Sequence, residues 1–424
     1  MKKVIFIFTA IICLLCSCNT SPQQSGKKPR YPSYDGLIMA GYQGWFAAEG
    51  DGAERGWYHY GLRADTATTI DFWPDITEYT KKYLSPFKMA DGSGAYLYSA
   101  QDEESVDLHF RWMKEYGIDG VFMQRFVTET KRDAGKRQFN KVLENALKAA
   151  RKYDRAIGVM YDLSGCQPGD MAVLEADWKE LLSLFDLTNL DKNPTYIHHN
   201  GKPLLTIWGV GFNDNRRYSI ADAQQMIARL KKEHEISIML GVPYFWRSLG
   251  RDTEDNPLLH TLIKENVDIV MPWAVGRYNY NTYDSVAAGL AEDFKWCRDN
   301  NVFYVPLVFP GFTWGNLRRN PAIYNQIPRL KGDFAWKQIA GAKAAGATAL
   351  YLAMFDEIDE GTAWYKCAEE GQLPVFGKER AERHFIGIET GLGSDYYLWL
   401  AGEAKKWFSG ATGYSTVKPE RNKK

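Results

Sequence analysis

Several things are missing from this 424-residue chain, and each absence narrows its function. There is no charge imbalance: Lys+Arg and Asp+Glu are both 52, for a formal net charge of zero. A nucleic-acid partner, which needs a basic field, is therefore not expected. Cysteine is scarce at six residues. Cys13, Cys16 and Cys18 crowd the N-terminus, while Cys166, Cys297 and Cys367 are scattered. None of these last three stands in CxxC spacing, so no structural zinc site is expected, only buried thiols with at most one disulfide. No Gly-rich phosphate loop follows any strand-like run, which counts against a doubly wound nucleotide-binding sheet. His59, His198 and His199 have no i,i+4 spacing with acidic partners and read as structural. The apolar run Val4–Leu15 is too short for a permanent membrane span.

That run is instead the core of a leader. Lys2 and Lys3 precede it, and Leu15-Cys16-Ser17-Cys18 closes it in a pattern that resembles a bacterial lipobox with Cys18 as the lipidated residue. An ordinary cleaved signal peptide is the alternative. The expected division is residues 1–18 as leader, 19–30 as a polar tether and 31–424 as one domain. On this reading the protein is held in the cell envelope, at the periplasm or outer-membrane surface, and meets the membrane through its lipid alone.

Along that domain an apolar, strand-like run is followed by an amphipathic helix, again and again. The strand runs are Leu37–Gly41, Gly120–Phe126, Ile157–Asp162, Leu204–Trp208, Ile238–Pro243, Ile269–Trp273, Tyr304–Phe309 and Ala349–Phe355. Their near-continuous apolar character suits strands buried on both faces. Helical periodicity falls at Glu103–Tyr116, Lys136–Lys152, Met171–Phe185, Ile220–His234, Leu258–Glu265, Val286–Asn300 and Phe334–Ala345. Asp102 and Ser219 are placed to cap two of these helices. Alternation of this kind predicts parallel pairing, and eight units predict an α/β (β/α)8 TIM barrel. Residues 42–102 would elaborate the loop between the first two strands. Residues beyond about 363, with a helix at Tyr396–Phe408, would form a short C-terminal extension.

In such a barrel the chemistry sits at the C-terminal ends of the strands. Those ends carry Tyr42 and Trp45, Gln124 and Arg125, Asp162, Trp208, Tyr244 with Trp246 and Arg247, Trp273 with Tyr278, and Trp314. Aromatic residues make up 14% of the chain, including 14 Trp and 25 Tyr. Those at the strand ends suit the flat faces of sugar rings, although each would equally serve as packing between barrel and helices. Arg125, Arg247 and Arg277 would hold hydroxyls or an acidic substituent, or else steady the loops. The densest signal is Phe355-Asp356-Glu357-Ile358-Asp359-Glu360-Gly361-Thr362, with four carboxylates in five positions at the end of the last strand. Paired carboxyls are what glycosidic cleavage needs, one to protonate the leaving oxygen and one to assist at the anomeric carbon. A solvated acidic turn, or a cation clamp at Asp356 and Asp359, is the competing interpretation.

This segment resembles the Phe-Asn-Glu-Trp-x-Glu-Gly-Thr signature of glycoside hydrolase family 99 and the loosely related family 71. The likeness extends to Gly41-Tyr42-Gln43-Gly44-Trp45 and Phe72-Trp73-Pro74-Asp75. The resemblance implies a barrel enzyme acting on α-mannosides or related α-glucans, retaining configuration by attack of the substrate's own 2-hydroxyl. It implies Glu357 as the carboxylate that deprotonates that hydroxyl and Glu360 as the acid/base at the glycosidic oxygen, with no cofactor and no metal. Asp356 stands where the family has a substrate-contacting Asn, and Ile358 stands where it has Trp. These departures place the chain on a divergent branch and leave its sugar specificity open. A conventional pairing with Asp162 as second carboxylate stays open too. So do an exo-acting α-glycosidase for another sugar, a metal-dependent hydrolase, and a non-catalytic glycan-binding lipoprotein. The expected partner is an oligo- or polysaccharide, met by a monomer.

Overall fold

The computed structural model describes residues 27–380 and 382–421. Cys18 and the leader lie outside the described residues, as does most of the tether. Its last residue, Arg30, already donates its amide to the Pro194 carbonyl at 2.9 Å.

Among the described residues the expected barrel is there, with eight parallel strands in one sheet and the short His198–His199 strand added antiparallel to Lys202–Trp208. The eight are Ile38–Tyr42, Gly120–Phe126, Ala156–Asp162, Lys202–Trp208, Ser237–Pro243, Ile269–Trp273, a broken seventh, and Leu350–Leu352. The seventh strand closes the circle. Its first part, Phe303–Tyr304, pairs with Ile269 and Val270, and its second, Leu307–Val308, pairs with Tyr351 and Leu352. Pro306 lies between the two pairings, where the ladder changes partner and a missing N–H is harmless. Its carbonyl still accepts from Tyr351 N at 3.0 Å.

Side chains alternate across each strand, and this alternation decides which strand-end residues reach the barrel mouth. Met39, Phe122, Met160, Met239, Met271, Tyr351 and Met354 form one buried cluster; Ile38, Ala40, Tyr42, Val121, Val159 and Leu240 belong to another. The first cluster fills the barrel and the second faces the surrounding helices. Gly41 points inward: a Cβ there would lie 2.2 Å from both Met354 Cε and the Tyr351 hydroxyl.

The helices follow the sequence closely, with Glu103–Tyr116, Ile220–His234 and Tyr396–Phe408 falling at the expected limits. The expected Val286–Asn300 helix is divided into Tyr283–Val286, a single turn at Ala287–Gly289, and Leu290–Asp299. Ser219 caps its helix in a reciprocal pair with Asp222. Asp102 does not cap. Its carboxylate is drawn away by the Lys81 ammonium and the Tyr83 hydroxyl. The long first loop contains a hairpin, Tyr83–Met89 with Gly94–Leu97, to which Pro374–Val375 of the extension adds a third antiparallel strand. The extension's helix then packs on Glu103–Tyr116, with Gly402 against the Tyr116 carbonyl, where a Cβ would come within 2.2 Å. Cys166, Cys297 and Cys367 are all free and buried. Among the described residues, no helix is long and apolar enough to cross a membrane.

Candidate active site

The eighth strand is shorter than its apolar run because the chain turns back on itself directly after it. Phe355 N donates to the Gly41 carbonyl at 2.7 Å, continuing the strand for one more bond. Met354 N then receives the returning chain through the Thr362 carbonyl at 3.1 Å, and Tyr365 N reaches the Phe355 carbonyl at 2.9 Å. Residues 355–362 are thereby folded into a closed loop over the barrel. Gly361 turns the chain with a φ of 66°, a left-handed conformation that glycine adopts without strain.

Neighbouring loops brace this turn. The Ile358 carbonyl accepts from the amides of both Asp71 and Phe72, and the Glu360 carbonyl accepts from Thr313 N. The Arg329 guanidinium spans the Gly361 and Ala363 carbonyls at 2.9 Å each. Asp71 ties the opposite loop down by accepting from the Thr313 hydroxyl and from the amides of Gly315 and Asn316. Burial lifts its carboxyl to about 6 against these bonds.

The four carboxylates of the loop differ in their surroundings. Asp356 is fully buried and spent on structure: its two oxygens accept from the amides of Gln43 and Gly44 at 2.7 and 2.9 Å. It therefore latches the first strand's exit to the eighth's, and both of its oxygens are taken by backbone amides where a substrate contact was expected. Burial raises its carboxyl to about 7. Glu357 accepts from Gln43 Nε2 at 2.6 Å and from the Thr362 hydroxyl at 2.7 Å. Burial, and then the charges of Glu360 and Asp359, hold its carboxyl well above the ordinary range, while those two hydrogen bonds act to lower it. Glu360 stays partly exposed. Its carboxyl is raised to about 7 by desolvation and by Asp359, with the Arg318 guanidinium opposing. Asp359 is 3% exposed, with one oxygen 3.4 Å from His59 Nδ1 and the other without a partner.

Of the other strand-end residues, Asp162 faces the same mouth. Burial raises its carboxyl to about 6, and its charge is felt at Glu360. Trp45 stacks on His59 with ring centroids 3.7 Å apart and planes 8° from parallel, which places it beside Asp359. Trp314 lies under the Arg318 guanidinium at 4.4 Å. Trp208 and Trp273 meet edge to face at 5.3 Å at the ends of inward-facing positions, both partly exposed. Gln124 lies deeper, donating to the Tyr351 hydroxyl at 3.1 Å inside the barrel.

Seven expected contacts point elsewhere, and strand alternation explains two of them. Tyr42 and Arg125 fall on the outward face. The Tyr42 hydroxyl meets His109 Nδ1 at 2.8 Å, and Arg125 is buried in an ion pair with Asp177 and a hydrogen bond to Asn140. Trp246 is fully buried against Trp296, and Arg247 pairs with Asp293. Tyr278 is buried with its hydroxyl donating to Gln338 Oε1 at 3.2 Å, and Tyr244 packs against the Tyr278 ring at 5.6 Å. Arg277 pairs with Asp252. Conversely, the sequence singles out neither Gln43 nor Arg318 as a contact, His59 reads as structural, and Asp359 is offered only within the acidic cluster and as part of a cation clamp. Gln43 was available from parity, two residues beyond inward-facing Gly41. His59 gave no signal, since only the folded loop brings it over Trp45. Among the described residues, no group of acidic, His and Cys side chains is arranged to hold a metal ion.

The class these features define is an eight-stranded parallel (β/α)8 barrel with clustered, raised carboxyls at the C-terminal end of its last strand. Solved structures share its fold. Two structures of the GH99 endo-alpha-mannosidase from Bacteroides thetaiotaomicron, one of them in complex with bis-tris-propane, are 15% identical to this chain. The first covers 90% of this chain and 99% of its own at a TM-score of 0.62. The complex covers 89% and 98% at 0.60. A glycoside hydrolase-like protein matches at 14% identity, 82% and 97% coverage and a TM-score of 0.52. At such identities the likeness is one of fold. No protein-family model and no curated protein matches the sequence.

Proposed function

We propose that the chain is a retaining glycosidase for α-linked, mannan-like glycans, in which Glu357 and Glu360 act on the substrate's 2-hydroxyl and glycosidic oxygen. One observation carries this reading: two raised carboxyls share a braced turn, the inner one clamped by donors and the outer one open to the mouth. A carboxylate whose charge is disfavoured by burial is a stronger base than one in water, which suits Glu357 to accept a hydroxyl proton. A carboxyl near 7 still carries its proton at neutral pH, which suits Glu360 to donate one.

The steps balance. Glu357 takes the 2-hydroxyl proton as the 2-oxygen bonds to the anomeric carbon, and the glycosidic bond breaks with Glu360's proton passing to the leaving oxygen. Water then attacks the anomeric carbon and gives Glu360 a proton. The bond between the anomeric carbon and the 2-oxygen breaks as water adds, and Glu357 returns its proton to the 2-oxygen. Two inversions leave the configuration retained. The nearby, raised Asp162 supports a second reading, with that residue as nucleophile opposite Glu360.

The test is product analysis with α-mannans, α-1,3-glucans and complex plant and host glycans, comparing wild type with Glu360→Gln and Asp162→Asn. Oligosaccharides released by wild type and lost in Glu360→Gln support a glycosidase, and monosaccharides alone would mark exo action. Full retention of activity in Asp162→Asn removes the second reading. Binding without turnover would instead favour a glycan-binding lipoprotein. We also propose that Cys18 carries the lipid that holds the protein in the cell envelope. Labelled palmitate should enter wild type and not Cys18→Ala.

A further inference from the structure

The two structural carboxylates near the mouth have both oxygens occupied: Asp356 by two amides, and Asp71 by a hydroxyl and two amides. Asp359 is as buried as they are, yet only one of its oxygens has a neighbour, His59 Nδ1 at 3.4 Å. Oδ1 has none. Leaving a buried acceptor unsatisfied is costly, and more so when it is charged. Asp356, Asp71 and Glu357 each have both oxygens bonded, so the open oxygen of Asp359 sets it apart from the other deeply buried carboxylates of the loop and its braces.

Two further buried polar atoms nearby are also without partners. Gln43 Oε1 sits on the amide that clamps Glu357, and Trp45 Nε1 belongs to the ring stacked on His59. Both residues are more than nine-tenths buried. His59 is held face-on by Trp45 and edge-on by Phe46 and Tyr58, while its side chain stays 27% exposed. The imidazole is thus fixed, with an edge left for something outside the protein. Asp359 also acts electrostatically on both Glu357 and Glu360, as a carboxylate close to the pair must.

We propose that Asp359 and His59 form a specificity pair that reads a hydroxyl of the sugar seated at Glu357 and Glu360, so that the site accepts neutral sugars and rejects those bearing a carboxylate there. This rests on the reading of the mouth as a sugar site. The unfilled oxygen is an acceptor and asks for a donor, and an anionic substituent would meet Asp359, Glu357, Glu360 and Asp162 together.

The probes are polyhydroxylated piperidines: deoxynojirimycin and its manno-, galacto- and fuco-configured counterparts, the neutral lactam of the tightest binder, and its uronic analogue. Binding to the full chain is measured by calorimetry. At least one piperidine should bind wild type. Asp359→Asn should weaken it and its neutral lactam alike, by about tenfold or more, as expected for a lost hydrogen bond to a charged group, with the melting temperature unchanged. His59→Ala should weaken both less, and the uronic analogue should bind wild type worst. Wild-type affinity in Asp359→Asn, loss confined to the cationic probe, uronic binding equal to the parent's, or no binding by any epimer each overturns the proposal. Turnover is not needed for any of these, so a failure of the glycosidase reading is seen separately, in the Glu360→Gln product analysis.

Discussion

Gln43 Nε2 donates to Glu357 Oε1 at 2.6 Å, joining residues 314 positions apart in the chain. With the Thr362 hydroxyl on the other oxygen, it fixes the orientation of the innermost carboxylate. Removing either donor takes away a bond that favours the charged form. Gln43→Ala and Thr362→Val should each lower kcat/KM by about tenfold or more, at about 1.5–3 kcal/mol per hydrogen bond to a charged group. The acidic limb of the pH profile should also move upward, since Glu357 then holds its proton more tightly. A profile that falls uniformly without shifting would show that these donors shape the site without setting Glu357's protonation.

The pH–rate profile itself should be a bell whose alkaline limb lies near pH 7, where Glu360 loses the proton it must donate. The limbs belong to the Glu357–Glu360 pair, because each carboxylate's charge raises the cost of the other's. Initial rates across about pH 4 to pH 9 on the substrate found by product analysis test this. Activity still rising above about pH 8 would remove Glu360 as the acid.

Stability should run the same way. Asp162 and Asp71 are raised to about 6, Asp356 and Glu360 to about 7, and Glu357 is raised as well. A carboxyl with a folded-state value above its unfolded one binds its proton more tightly when folded. Its stabilising contribution is complete below about pH 4 and is lost as pH rises through 6 to 7. Melting temperature should therefore fall between about pH 5 and about pH 8, and fall less steeply in Glu360→Gln, which has nothing to deprotonate. Equal slopes in the two proteins would mean that Glu360 titrates at its ordinary value.

The barrel was legible from the sequence because strands buried on both faces are written as short apolar runs, and Gly120–Phe126 and Ile269–Trp273 appear where those runs lie. The carboxylate loop was legible because four acidic residues at a strand end have few structural uses. Which strand-end aromatics line the mouth was harder to read. A one-residue difference in position sends Tyr42 outward and Gln43 inward, and composition does not register parity. Asp356 was misread for another reason: what its carboxylate binds is the backbone of Gln43 and Gly44, and backbone amides carry no mark in a sequence. His59 reaches Asp359 across 300 positions, through a loop whose path only the folded chain reveals.

Arg125 gives the sharpest contrast between a binding and a structural role. Its guanidinium is 3% exposed and shared between Asp177 and Asn140, on the face of the second strand that packs against helices. Were it a substrate contact, Arg125→Met would raise KM and leave the fold alone. The geometry dictates the reverse. Losing the arginine leaves Asp177 as a buried charge with the Tyr161 hydroxyl at 2.6 Å and the Lys136 ammonium at 4.0 Å, and breaking a buried pair from one side costs about 3–5 kcal/mol. Arg125→Met should thus lower the melting temperature by several degrees, with KM unchanged in the fraction that stays folded. Arg125→Met with Asp177→Leu should recover most of the loss, because an apolar replacement of both partners leaves no orphaned charge. A raised KM at an unchanged melting temperature would put Arg125 back at the mouth and reverse the assignment of faces on which the site rests.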